Sequence, residues 1–195
     1  MEGARSVDMK LIISSQNGDI GGVMAALSQG GRVTVRSTQR LTPLLVAAQN
    51  GHTDICGLLL AHGSNVNEVK PDIKHTALHL AANQGHNTLV EVLVSWGAEV
   101  NPQNYVGLTP LHGACQVGHL LCVLELLKAG ASITLPDYQG SLPIHQAAGK
   151  NRMEIVRALL ERGCSPDTVS WYYTERTIDS SLFPLSSTAS QGGHH

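Results

Sequence analysis

Aromatic residues are scarce in this chain of 195 residues, which holds two Trp, four Tyr and a single Phe. A core without rings must be assembled from Leu, Val, Ile and Ala, and this suits closely spaced helices. Apolar residues at 42% are enough to build one. An excess of either charge is also missing: 13 Lys and Arg stand against 15 Asp and Glu, a formal net charge of −2. Nucleic-acid binding draws its affinity from clustered cations and is not expected here. No basic amphipathic stretch points to a membrane surface. No apolar run approaches the ~20 residues that span a bilayer, so no membrane association is expected.

Cys-x-x-Cys pairs are absent. Cys56, Cys115, Cys122 and Cys164 each lie in a hydrophobic run or beside a helix end. They read as reduced thiols acting as small apolar residues, which suits the cytoplasm or nucleus. Met1–Lys10 lacks the apolar centre of a secretory leader. Phosphate-cradling glycine loops, His-Glu-x-x-His and Gly-x-Ser-x-Gly are missing as well. Acidic residues are scattered, with no pairing that suggests acid–base work. No enzymatic activity and no cofactor are expected.

What the chain does have is self-similarity. Thr42-Pro43-Leu44-Leu45, Thr76-Ala77-Leu78-His79, Thr109-Pro110-Leu111-His112 and Leu142-Pro143-Ile144-His145 follow one another at steps of 34, 33 and 33 residues. Gly51-His52, Gly85-His86, Gly118-His119 and Asn151-Arg152 keep the same register, as do Gly63, Gly97, Gly130 and Gly163. The extra residue of the first step falls between Asn67 and Thr76 and is expected in a loop. Gly18 and Gly30 extend the register backwards into a leading unit without the tetrapeptide.

Each unit predicts a turn, a short helix, a loop, a second helix and an extended finger. Thr42 and Thr109 are natural N-caps. Pro43, Pro110 and Pro143 suit the first helical turn, where a missing N–H costs nothing. The pairs Ala47-Ala48, Ala81-Ala82, Ala114-Cys115 and Ala147-Ala148 keep the first helices thin. Gly63, Gly97, Gly130 and Gly163 suit the left-handed ends of the second helices. No unit buries its apolar face alone, so stacking has to supply the core.

A period of about 33 residues with a Thr-Pro-Leu-His signature resembles the ankyrin repeat. The resemblance covers roughly Met9–Asp167. It implies an all-α solenoid of helix-turn-helix units with short β-hairpin-like fingers. The expected divisions are an incomplete capping repeat over 1–37, four repeats over 38–70, 71–103, 104–136 and 137–167, and a poorly ordered Ser/Thr-rich tail over 168–195. The second helix of the last repeat is charged (Arg152, Glu154, Arg157, Glu161 and Arg162), as suits a polar end cap.

Histidines invite a metal reading, since ten are present. Yet metal ligands converge on one ion at about 2 Å, whereas successive repeats set equivalent positions about 10 Å apart. His79, His112 and His145 are expected to make structural hydrogen bonds, and Leu45 breaks that series. Metal sites are not expected. Cys115 and Cys122 lie near His112 and His119, but both occupy apolar positions, where thiols are usually inert.

The resemblance implies a concave surface formed by fingers and first helices, with a protein as the partner. The finger tips run Asn67–Lys74, Asn101–Gly107 and Thr134–Gly140. Beside them lie Gln49 and Asn50, Asn83 and Gln84, Gln116 and Val117, then Gly149 and Lys150, mostly uncharged amides. Tyr105, Tyr138 and Trp171 recur at steps of 33 residues, a row of rings at one finger position. Tyr and Trp are favoured interface anchors; the alternative is that each ring packs on its neighbouring finger. Trp96, before Gly97, is a further candidate, with packing on a helix end as its alternative. The resemblance also implies asparaginyl hydroxylation at Asn67 and Asn101, which follow Leu59 and Leu93 by eight residues.

The expected function is a non-enzymatic adaptor or inhibitor, monomeric, holding a partner protein on its concave face. The repeats are also similar to those of ankyrin and SOCS-box proteins, which recruit substrates to a ubiquitin ligase, though Phe183-Pro184-Leu185 does not supply a SOCS box. A non-catalytic subunit of an enzyme complex and an enzyme with an atypical cysteine site are the other readings.

Overall fold

The computed structural model describes residues 2–165, with side chains from Ser6 onward. The expected end of the stack at Asp167, the tail 168–195 and Trp171 lie outside the described residues. Among those described, the chain forms five consecutive helix pairs: α1 (Glu2–Asn17) with α2 (Ile20–Ser28), α3 (Pro43–Asn50) with α4 (Thr53–Ala61), α5 (Ala77–Gln84) with α6 (Asn87–Ser95), α7 (Pro110–Val117) with α8 (Leu120–Lys128), and α9 (Pro143–Gly149) with α10 (Met153–Glu161).

Local signals in the sequence account for the boundaries. Thr42, Thr76 and Thr109 are the N-caps of α3, α5 and α7, and each hydroxyl accepts the backbone N–H three residues on, at 3.4–3.5 Å. Pro43, Pro110 and Pro143 open their helices. Leu142 has no oxygen to offer α9, so His145 supplies only the reverse half of the cap, Nδ1 accepting the Leu142 N–H at 3.0 Å. Gly63, Gly97, Gly130 and Gly163 follow the second helices with positive φ.

The first helices pack in sequence, α1 on α3 on α5 on α7 on α9, and the second helices form a parallel, looser row. The Ala and Cys pairs make the tight row possible, because Ala47, Ala48, Ala81, Ala82, Ala114, Cys115 and Ala147 are all fully buried. The closer row lies on the inside of the curve, so the first-helix side is concave. One continuous apolar cluster runs through the stack, from Leu11 to Cys164.

The leading unit is a full helix pair with a departure: α1 has 16 residues where α3, α5 and α7 have 8. Its extra turns bring the buried Asp8 carboxylate to the start of the first finger. There Asp8 accepts the Arg32 backbone N–H at 2.9 Å and two guanidinium bonds at 3.0 and 2.5 Å. Hydrogen bonds from Arg32 hold the Asp8 carboxyl below the ordinary carboxylate range.

The inserted residue lies in the second finger, where β1 (Val69–Lys70) and β2 (His75–Thr76) form an antiparallel ladder, Val69 opposite Thr76. That finger closes through Lys74 N–H to Lys70 C=O, a span of four residues, whereas the others close over three, Arg40 to Ser37, Gly107 to Asn104 and Gly140 to Asp137.

Candidate functional site

The edge formed by the finger tips is built from short turns, three of them stitched by a side-chain acceptor at the start. Asn104 Oδ1 accepts the N–H groups of Val106 and Leu108, both at 3.0 Å. Asp137 Oδ1 does the same for Gln139 and Ser141, at 2.9 and 2.8 Å. Ser37 fills this role more weakly in the first finger, at 3.2 Å to the Leu41 N–H. Asn104 and Asp137 are buried although they lie in loops. Their burial identifies them as the residues that shape the tips.

The tips of the second, third and fourth fingers are joined by backbone bonds. The Tyr105 N–H donates to Ile73 C=O at 3.4 Å, and the Tyr138 N–H to Val106 C=O at 3.1 Å. Gln103 Nε2 adds a bridge, donating to the carbonyls of Gly107 and Pro136 at 3.0 Å each. The outcome is a fixed edge on which Tyr105 and Tyr138 are 61% and 68% exposed. Tyr138 also rests on its neighbour: a Cβ on Gly107 would stand 2.6 Å from its Cδ1. Packing on the adjacent finger and presentation to solvent are thus both true of Tyr138. Ile73 and Val106, which the reading of the sequence passed over, are exposed beside the rings.

The helix-end candidates divide. Gln49, Asn50, Gln84, Gln116 and Val117 are exposed at the ends of the first helices. Asn83 is half-buried, with its side-chain oxygen unpaired and turned onto Gly113, where a Cβ would stand only 1.7 Å from it. Gly113 therefore makes room for Asn83, and this amide is committed to the helix contact. Between α1 and α3 lies a polar recess of about 290 Å³, reaching from Ile12 and Gln16 to Gln49 and Asn50. Trp96 is the C-cap of α6, on the second-helix row, and is 47% exposed. It does not share a surface register with the tyrosines.

Asn67 and Asn101 tie successive units together. Asn67 Oδ1 accepts the Glu99 N–H and Asn101 Oδ1 the Ser132 N–H, both at 2.8 Å.

Ion pairs are concentrated in the first two fingers. Arg36 pairs with Glu68, and Arg40 with Asp72 at 3.3 Å. These partners are 32 residues apart, so each pair crosses from one unit to the next.

The recurring histidines are structural. His79 Nδ1 accepts the Thr76 N–H at 3.2 Å, so the proton sits on Nε2, which donates to Leu108 C=O of the next unit at 3.0 Å. His112 repeats this with Thr109 and Ser141, at 3.2 and 3.1 Å. Burial pushes His79 down to about 4 and lowers His112 as well. His75 stacks on His79 with ring centroids 5.0 Å apart and accepts a bond from Asn104 Nδ2 at 3.0 Å. Burial, then nearby Lys70, lowers it too. Among the described residues, no group of three His, Cys, Asp or Glu side chains could hold a metal ion.

All four cysteines are free and buried. Burial pushes Cys56 up to about 12 and Cys122 up to about 11, and raises Cys115 and Cys164. A thiol held protonated in this way is a poor nucleophile.

A stack of helix pairs with linked fingers and a concave first-helix face defines a class of repeat solenoids that work through extended surfaces. The family described as ankyrin repeats, in three copies, matches residues 11–104 and 100–170. The chain belongs to the ankyrin-repeat family, whose members generally mediate protein–protein interaction. No curated protein matches the chain. Among the described residues, no helix is long and apolar enough to cross a membrane.

Proposed function

We propose that the chain is a non-catalytic adaptor or inhibitor that holds a protein along its finger edge and the adjoining ends of the first helices. The observation that carries this is the pair Tyr105 and Tyr138, both largely exposed at one register position on fingers tied by backbone bonds. Rigid, partly solvated tyrosines are the side chains that anchor interfaces at low entropic cost. Buried, protonated thiols weigh against an enzyme built on Cys115 or Cys122. The same thiols, reduced, suit the cytoplasm or nucleus. A role as substrate adaptor of a ubiquitin ligase, or as a subunit of an enzyme complex, would use the same edge. Hydroxylation at Asn67 and Asn101 would act on amides that already bridge successive units.

Affinity purification with the intact chain identifies the partner, and titration with Tyr105→Ala and Tyr138→Ala variants tests the edge. Each variant is expected to weaken binding about tenfold or more, by ~1.4 kcal/mol, with unchanged helicity by circular dichroism. Unaltered affinity in both variants would remove the edge from the interface.

A further inference from the structure

All four fingers turn through one residue in the left-handed region: Arg40 (φ 61°), Lys74 (φ 56°), Gly107 (φ 83°) and Gly140 (φ 80°). Glycine adopts this conformation freely, whereas any residue with a Cβ is penalised there. Two fingers use glycine. Arg40 has a structural return for its strain, because its guanidinium reaches Asp72 at 3.3 Å in the next finger. Lys74 has none: it is exposed and forms no ion pair among the described residues. At the finger tip this leaves a strained, exposed residue whose cation is unpaired, a combination found at ligand sites.

The surroundings say what this cation faces. Lys74 follows Ile73, whose carbonyl accepts the Tyr105 N–H, so it lies at the head of the exposed apolar strip formed by Ile73, Tyr105, Val106 and Tyr138. The carboxylates of this edge already have partners. Glu68 and Asp72 are held by Arg36 and Arg40, and Asp137 is buried in its own turn. The strip therefore begins with a cation that has no ion-pair partner among the described residues, while the carboxylates near it are paired or buried.

We infer that the finger edge from Lys74 to Tyr138 binds an extended acidic peptide segment of the partner, its carboxylate on Lys74 and its apolar side chains along Tyr105, Val106 and Tyr138. This rests on the docking role proposed above. Two steps between fingers, at about 10 Å each, match about six residues of extended chain at ~3.3 Å per residue. The ligand is thus a segment with an Asp or Glu about six residues from a large apolar side chain.

The test is selection of displayed random twelve-residue peptides on the full chain, followed by titration of the most enriched synthetic peptide. Enriched sequences are expected to carry Asp or Glu together with a large apolar residue, and to bind more weakly as salt is raised. Lys74→Gln and Lys74→Gly should each weaken the peptide about tenfold, while Lys74→Arg stays within about twofold. Lys74→Gly should lose this affinity although its melting temperature does not fall, since glycine suits the turn. Selection without acidic residues, no enrichment at all, or full affinity in Lys74→Gln would overturn the inference. Loss of binding in Tyr105→Ala and Tyr138→Ala with full affinity in Lys74→Gln would leave the docking edge standing and remove only its acidic ligand. Full affinity in all of these variants would remove both.

Discussion

His79 shows how one side chain couples a helix cap, a neighbouring unit and pH. Its Nδ1 must stay bare to accept the Thr76 N–H, and its Nε2 must keep a proton to reach Leu108. Protonation of Nδ1 destroys the first of these bonds. An unfolded histidine titrates near 6.5, whereas His79 in the fold is held down to about 4. Between those values the unfolded chain binds more protons, so stability rises with pH. The contribution is complete above about pH 6.5 and is lost as pH falls toward 4, with His79 alone removing about 1 kcal/mol by pH 5.5. His112 and His75 are lowered too and act in the same direction. Urea unfolding at pH 7.5 and 5.5 measures this, and the slope should be shallower in His79→Leu, the residue type found at the equivalent Leu45. An equal slope in that variant would show that other groups govern the acid response. At another residue, Asn151 has φ 56° where the equivalent Gly51, Gly85 and Gly118 are glycine. Asn151→Gly is expected to stabilise the chain by about 0.5–1 kcal/mol, read as a higher midpoint in urea.

At the scale of elements, the Gly-His markers acquire a reason that periodicity alone does not supply. Gly51 ends α3 in the left-handed region, but it also receives the His86 ring of the next unit, and a Cβ there would stand 2.6 Å from the ring. Gly63 has a similar φ with nothing within 4 Å of the added carbon. Both substitutions to Ala incur the backbone penalty of about 1 kcal/mol, and Gly51→Ala should cost a further 1–3 kcal/mol through overpacking. Equal losses in thermal or chemical unfolding would mean that the histidine ring is free to move aside. The helix caps, the opening prolines and the thin Ala faces were legible in the sequence because each depends on residues within one turn. The inserted residue was legible as a loop feature and hairpin-like fingers were implied by the resemblance, but that the ladder forms in the second finger and closes on a four-residue turn at Lys74 was not, since this arises from how that finger closes. Lys74 and Arg40 could have been found by aligning the fingers, because they stand where later fingers have glycine. The alignment does not reveal that one is paired and the other is not. Asn83 could not have been assigned to the helix contact, because that depends on Gly113 in the next unit.

For the whole molecule, stability is the sum of units and the interfaces between them, so the units need not open together. The α9–α10 unit has the weakest local supports: Leu142 offers no cap oxygen to α9, and Asn151 holds a left-handed position that glycine fills elsewhere. Backbone amides of α9 and α10 are expected to exchange with deuterium sooner than those of α5 to α8 under native conditions. Uniform protection across all the helices would show a single cooperative block instead.

By itself the sequence determined the repeat register, the caps and breaks of the helices and the apolar faces that must be stacked, because these follow from local chemistry recurring every 33 or 34 residues. Tertiary structure alone decided which surface groups are left over. Arg36 and Arg40 are neutralised from the following finger, Tyr138 is half-supported by Gly107, and Lys74 keeps its charge. The outcomes for Arg36, Arg40 and Tyr138 depend on a neighbour one unit away along the chain yet in direct contact through space, and that for Lys74 on having no such neighbour among the described residues. The working surface is therefore a property of the stack and of no single repeat.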